Sequence, residues 1–308
     1  MFFKEVTLFL TEVEQNITAA DFSQCQRLFH GRGHAFENFE HVNVDWLAPV
    51  VLITLYQTVD DVWLHETADM LLNRVPLCRS VQVQRRYLAK APTEVLLGET
   101  ISETEVTEHD LHYHIQLGKS QNIGLFLDMA NGRQWVQAHA EGKKVLNLFA
   151  YTCAFSVAAV AGGASKVVNI DMAKGALAKG RDNHRLNQHD LSKVIFEGVD
   201  IFKSYNRLKK YGPYQLMICD PPSFQKGSVN IARDYKKILS RIPQLLSPEA
   251  ELLLCLNSPD LDEQFLLEEM KRECPDCQFI EKVLNPAVFK EATAGKGLKA
   301  LKFKYLPL

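Results

Sequence analysis

The sequence predicts an α/β protein: a doubly wound, mostly parallel sheet with a smaller N-terminal α+β domain. Three observations carry that expectation. From about residue 120, short apolar runs alternate with stretches of helical periodicity, at the spacing of strand–helix units. One run, Leu216-Met217-Ile218-Cys219, stops at Asp220-Pro221-Pro222-Ser223-Phe224. Two prolines in succession lack N–H donors and end a strand there. The charge also divides: residues 1–137 carry 10 Lys+Arg against 18 Asp+Glu, and residues 138–308 carry 25 against 19. The expected domains are 1–115, a candidate RNA- or substrate-recognition module, and 116–308, the catalytic part.

In the first part, Trp46 to Ile53 reads as a buried strand with an early break at Pro49. Leu64 to Leu72 has helical spacing, and Arg79 to Tyr87 alternates as a strand does. Glu94 to Gly98 and Val106 to Leu117 suggest a hairpin. In the second part, a helix is expected within Phe126 to His139. Strands follow at Lys143–Phe149, Val167–Asp171, Val194–Val199, Leu216–Cys219 and Glu251–Leu256. Helices are expected from Phe155, at Ala173–Leu186, at Lys236–Leu246 and at Asp262–Arg272. Phe279–Val283 and Leu301–Tyr305 suit a strand pair at one sheet edge.

Composition excludes some classes. Hydrophobic residues make up 46% and charged residues 23%, as in ordinary globular proteins and unlike disordered chains. No apolar run approaches the roughly 18 residues of a membrane span. The N-terminal Met-Phe-Phe-Lys-Glu-Val lacks a basic n-region, so no secretory signal is expected. The seven scattered cysteines then read as reduced thiols in the cytoplasm.

Four strand ends carry the chemistry. Asn147 to Thr152 closes the first strand of the large sheet, Asp171 the second, Asp200 the third and Asp220 the fourth. Side chains at the carboxyl ends of neighbouring parallel strands converge on one crevice. An acid after the second strand is placed for ribose hydroxyls. Asp200, followed by Ile201 and Phe202, suits an adenine amino group with apolar cover. The first turn holds Ala150, Thr152, Cys153 and Ala154 rather than G-x-G-x-x-G. A pyrophosphate needs glycine there and a nucleoside without phosphates does not. The cofactor expectation is therefore S-adenosylmethionine (AdoMet) rather than a dinucleotide, with no metal.

With these residues in place, the chain resembles the class I AdoMet-dependent large-subunit (23S) rRNA methyltransferases of the RlmI and RlmK type. The matching stretches are Gly124 to Met129 with Arg133, Val145 to Thr152 with Phe155-Ser156, and Asp171-Met172 with Asn183 to Asn187. Asp200-Ile201-Phe202 and Asp220 to Phe224 complete them. The resemblance covers about residues 90–308. Upstream, Asp45 to Pro49 and Arg79 to Arg86 fit the family's middle region, and its PUA domain has no evident counterpart. The resemblance implies a Rossmann-like fold in which Asn147, Phe149, Ala150, Tyr151 and Thr152 wrap AdoMet. It implies that Asp171 and Met172 bind the ribose and that Asp200 and Ile201 sit near the adenine. Lys119, Gln121 and Phe126 close over the cofactor, and Asp220, Pro221, Pro222, Ser223 and Phe224 hold the target base. The implied partner is RNA, in particular rRNA, with no membrane; the oligomeric state is left open.

The methylated atom turns on a cysteine. A pyrimidine C5 is not nucleophilic and needs a thiol to add at C6 first. Enzymes of that kind place it directly after Asp-Pro-Pro or after the fifth strand. Ser223 stands at the first place and Asn257 at the second, with Cys255 two residues earlier inside the expected strand. The expectation is methylation of a base nitrogen, guanine N7-like, with Asn257 as a base-edge contact. The alternatives are a cytosine C5 RNA methyltransferase, a methyltransferase for a protein or small molecule, and a non-catalytic AdoMet-binding protein.

Other features read as structural or weakly functional. Cys274-Pro275-Asp276-Cys277 lacks the second pair that zinc wants and reads as a helix–strand loop. His112 and His114 share a strand face without a nearby third ligand. Phe29 to His34 suits either an RNA-phosphate contact or a turn using glycine's positive φ. Arg79, Arg85, Arg86 and Lys90 form a basic stretch suited to RNA. Lys296, Lys299, Lys302 and Lys304 suit a second basic patch or a lysine-protected edge strand.

Overall fold

The computed structural model describes residues 2–222, 224–225 and 229–308, the side chains of 2–5, 224–225 and 229 apart. It divides into two units. Residues 1–127 and 286–294 form the first; residues 128–285 and 295–308 form the second. The division falls after Leu127 rather than after residue 115, and the first unit takes in a late segment that the sequence does not mark.

The first unit runs α1 (Phe2–Ala19), β1 (Gln26–His30), β2 (Val42–Leu47), β3 (Val50–Leu55), α2 (Asp61–Arg74), β4 (Ser80–Arg85), β5 (Thr93–Gly98), β6 (Glu103–Glu108) and β7 (Leu111–Gln116). Strands β1 to β5 pair in chain order in one sheet, and β6 and β7 form a hairpin. The run from Trp46 to Ile53 is two antiparallel strands, β2 and β3, not one interrupted strand. Pro49 lacks the donor that would continue the first, so the chain reverses. Likewise β5 pairs with β4, and the hairpin is β6 with β7 alone. Helix α1 is absent from the sequence reading. Phe9 and Val13, one helical turn apart, are fully buried among Phe29, Phe39 and Trp46.

The second unit runs α3 (Ala130–His139), β8 (Lys144–Leu148), α4 (Ala154–Ala161), β9 (Lys166–Ile170), α5 (Lys174–Leu186), β10 (Val194–Glu197), α6 (Tyr205–Tyr211) and β11 (Tyr214–Cys219). It continues with a short pair β12 (Phe224–Gln225) and β13 (Val229–Asn230), α7 (Ile231–Leu239), α8 (Ile242–Leu245), β14 (Leu246–Asn257), α9 (Glu263–Glu273), β15 (Cys277–Val283) and β16 (Leu298–Tyr305). The helix expected over 236–246 is two helices, with α8 restarting at Pro243 in its first turn, a position that tolerates proline.

The large sheet has the order β10-β9-β8-β11-β14-β16-β15. Strands β10, β9, β8, β11 and β14 are parallel neighbours, and β16 runs antiparallel between β14 and β15. This is the doubly wound Rossmann-like arrangement. The order reverses between β8 and β11, the switch point outside which open α/β sheets place their ligand crevice. Because β16 is interior, the lysine-protected edge reading fails.

Candidate functional site

Register brings the strand ends together. Leu148 lies opposite both Ile170 and Cys219, and Ile170 opposite Glu197. The next residues, Phe149, Asp171 and Asp220, therefore leave the sheet side by side at the switch point. Asp200 follows β10 and caps a short 3-10 turn, accepting from Phe202 N at 2.9 Å.

The turn after β8 is unusual in its backbone. Phe149, Tyr151 and Cys153 have φ of 58°, 47° and 61°, a region that costs a non-glycine residue of order 1–3 kcal/mol and clusters at functional sites. Neighbours hold it there. Ala150 N donates to Ile170 O at 3.0 Å and Cys153 N to Ala150 O at 2.7 Å. Tyr151 N donates to Asp171 Oδ2 at 2.8 Å, and Asn183 Nδ2 to Thr152 O at 3.0 Å. From the other side, Gly180 on α5 brings bare backbone against the turn; a Cβ there would lie 2.4 Å from Cys153 Sγ.

Asn147 has a role different from the one expected. It is buried and donates from Nδ2 to Asn169 Oδ1 at 2.8 Å. Asn169 Nδ2 donates to Ser156 Oγ at 2.9 Å, and Ser156 Oγ meets His184 Nε2 at 2.8 Å. His184 Nδ1 lies 3.0 Å from His189 Nδ1. A neutral His184 carries one ring proton, so it donates at one of these two contacts and accepts at the other. Burial and the neighbouring His189 push His184 down to about 3, so the ring is neutral. This chain of polar groups underlies the turn, so Asn147 shapes the site from beneath. The sequence signal was an asparagine at the same register in two adjacent apolar strands.

Asp171 is half-buried. Each carboxylate oxygen accepts one backbone N–H, from Tyr151 and from Ala173 at 2.7 Å, and each keeps a second lone pair. Met172 beside it exposes 52% of its surface, enough to cover a flat ring. Ile201 is buried, and the Phe149 and Phe202 rings lie 6.5 Å apart. Ala150 and Thr152 are buried, and Tyr151 is half-buried. An unspent acid after the second strand, apolar cover nearby and a turn without glycine fit a nucleoside carrying no phosphates.

Asp220 stands across from this turn. Burial and the Asp128 carboxylate raise its carboxyl to about 7, with Arg133 opposing them. Asp128 and Arg133 were absent from the residues expected at the site. Arg133 is buried on α3, its guanidinium 6.0 Å from the Phe155 ring, and a buried charge in an apolar helix stripe was its signal. Pro221 is buried and Pro222 exposed; Phe224 pairs through its backbone with Asn230. Ser223 lies outside the described residues, as does the Phe224 side chain. Asn257 is exposed at the end of β14. Cys255 is fully buried in that strand, its thiol pushed well up by burial and by the Asp220 carboxyl.

Lys119, Gln121 and Phe126 lie in the first unit and are exposed. Lys119 pairs with Glu103. The C-terminal lysines are spent: Lys299 is buried and donates to Ser258 O at 2.5 Å and Gly295 O at 3.1 Å. Lys302 pairs with Glu281, and Lys304 with Glu249 at 2.5 Å. Cys274 and Cys277, buried with sulfurs 3.6 Å apart, join α9 to β15. No group of three or more His, Cys, Asp or Glu among the described residues is arranged to hold a metal. No helix among them is long and apolar enough to cross a membrane.

Comparison with known proteins shows the family. Residues 26–304 match the model of a family described as S-adenosylmethionine-dependent methyltransferase. A ribosomal RNA large subunit methyltransferase I from Aeromonas hydrophila is 34% identical over 196 residues, covering 62% of this chain and 49% of the relative. The protein of that name from Erwinia tasmaniensis is 33% identical over 216 residues, covering 67% and 54%. The chain thus spans about half the length of the curated relatives it matches. Among solved structures, SMU.776, described as a candidate methyltransferase complexed with SAH, superposes with a TM-score of 0.84 at 23% identity. That match covers 98% of this chain and 81% of the other. At that identity the likeness speaks for the fold.

Proposed function

We propose, from the premise that this chain belongs to the S-adenosylmethionine-dependent methyltransferase family, that it methylates a base nitrogen, guanine N7-like, in large-subunit rRNA. The curated relatives support the RNA. One observation carries the nitrogen: where a carbon-5 enzyme needs a reachable thiolate after the fifth strand, residue 257 is an exposed asparagine. The nearest thiol, Cys255, is sealed in the strand and held protonated.

AdoMet supplies a methyl group on a sulfonium, a leaving group that departs without acid assistance. What remains for the protein is alignment and a site free of competing nucleophiles. In this reading the turn from Phe149 to Thr152 and Asp171 hold the methionine and ribose parts, and Met172, Asp200 and Ile201 the adenine. Lys119, Gln121 and Phe126 belong to the covering segment. Residues Asp220 to Phe224 and Asn257 hold the base, which must be unstacked for its face to be covered. An N7 acceptor loses no proton and gains a positive charge, and Asp220, once ionised, stabilises that charge. The first unit serves as the recognition module.

The test is transfer of labelled methyl from AdoMet to RNA, together with nucleoside mass spectrometry of total RNA from a strain lacking the gene. Loss of one methylated purine supports the reading. An unchanged nucleoside profile, or label that resists RNase and stays with protein, overturns it. Asp220→Ala should lower transfer by on the order of 100-fold or more while AdoMet still binds. Cys255→Ser should keep activity, and a well-folded but inactive Cys255→Ser would restore the carbon-5 reading.

A further inference from the structure

Two stretches of the first unit, far apart in sequence, meet on one ring. Arg32, in the glycine-rich loop after β1, places its guanidinium carbon 4.5 Å from the centre of the Tyr56 ring. Arg86, just after β4, places its own 5.7 Å from the same centre. Tyr56 follows β3 and is anchored by its backbone N–H, which donates to His41 O at 2.9 Å. The loop carrying Arg32 is wedged as well. A Cβ at Gly31 would meet Phe39 O at 1.8 Å, and one at Gly33 would meet Lys290 O at 1.8 Å. Neither glycine has a positive φ; that conformation falls on His34 at 58°. The glycines therefore serve close backbone approach rather than turn geometry.

What sets these two arginines apart is that no acidic partner faces them among the described residues. Arg27 is paired with Asp45, Arg79 with Glu99 and Arg85 with Glu94, each at 2.5 Å. Among the described residues, Arg86 donates to neutral oxygens: Gln84 Oε1 at 2.9 Å, Gln121 O at 2.6 Å and Asn122 Oδ1 at 3.3 Å. The exposed Arg32 forms no ion pair among the described residues, its guanidinium resting on the ring. A guanidinium over an aromatic face is held in orientation and keeps N–H donors at its rim. Residues 1–137 are net acidic, 10 Lys+Arg against 18 Asp+Glu, so net charge on this part of the chain does not favour a polyanion. Contact has to come from donors arranged in advance.

We infer that Arg32, Tyr56 and Arg86 form a phosphodiester clamp that holds the RNA backbone on the first unit. This rests on the RNA reading above. Guanidinium groups match phosphate oxygens with paired N–H donors, and backbone contacts of this kind fix register without reading sequence. The clamp therefore positions the substrate and contributes little to base choice.

The test is fluorescence anisotropy of the full chain with a fluorescein-labelled RNA hairpin, between about 50 and 200 mM salt. RNA methylation is measured in parallel. Arg32→Ala and Arg86→Ala should each weaken binding roughly 10-fold, the scale of one charged hydrogen bond. Each should lower the slope of log K against log salt by about 0.7–0.9. Tyr56→Phe should bind as the parent does, while Tyr56→Leu should lose as much as either arginine variant. Arg79→Ala, which removes a cation already paired, should change nothing. A double arginine variant that keeps its circular dichroism and also keeps parental affinity and salt slope overturns the clamp. If that variant still methylates RNA as before, the clamp alone falls. If the unsubstituted chain neither binds nor methylates RNA, the RNA reading falls with it.

Discussion

Asp220 is a carboxylic acid kept partly protonated near neutrality. Its ordinary range is about 3.8, and burial with Asp128 nearby raises it to about 7 in the folded chain. Between those values the folded protein holds a proton that the unfolded chain has released. Raising the pH therefore favours unfolding: the contribution is fully present below pH about 4 and is lost as pH passes about 7. Asp220→Asn should remove this slope, which approaches 1.4 kcal/mol per pH unit at most, roughly. The stability difference from the parent, measured by urea unfolding from pH 4 to 8, should favour the variant increasingly with pH. A flat difference would show that the carboxyl is ordinary. Ser156 offers a second test. Ser156→Ala leaves Asn169 Nδ2 and His184 Nε2 without their buried partner, at a cost of about 1–3 kcal/mol. If the turn after β8 holds the cofactor as proposed, AdoMet affinity, read by calorimetry, should fall more than the turnover of the saturated enzyme, because this polar chain underlies that turn.

At the level of elements, the contact between α5 and the turn after β8 constrains the site closely. Gly180→Ala places a methyl 2.4 Å from Cys153 Sγ and 3.2 Å from the Thr152 carbonyl carbon. Overpacking of this kind costs about 1–3 kcal/mol, and the displaced turn should weaken AdoMet binding along with the thermal midpoint. Normal binding by Gly180→Ala would show that the turn adapts. The sheet's strands were legible because apolar runs of five or six residues, punctuated by acids and glycines, have few other readings. The acids Asp171, Asp200 and Asp220 were legible because strand ends converge in any such sheet. Helix α1 was not, since Phe9 and Val13 find their partners only once β1 and α2 have assembled. The support role of Asn147 was not either: it depends on Asn169 one strand away and on His184 a further helix on. The basic C-terminal stretch misled because lysine spacing does not reveal that β16 lies inside the sheet with its charges paired.

Taken whole, the molecule is two units that share one chain in an interrupted way. Residues 286–294 belong to the first unit although both flanks belong to the second. The strand that follows them, β16, lies between β14 and β15 and pairs with both along nearly its full length. A chain lacking residues 298–305 should accumulate in the insoluble fraction, because two interior edges lose their partner. A soluble, AdoMet-binding chain of that kind would show that β14 and β15 can close on each other. During synthesis the same arrangement imposes an order. β14 and β15 are made before the strand that pairs with both, so until β16 follows, each has unpaired backbone toward one edge of the sheet. The second unit is thus closed by its own last strand.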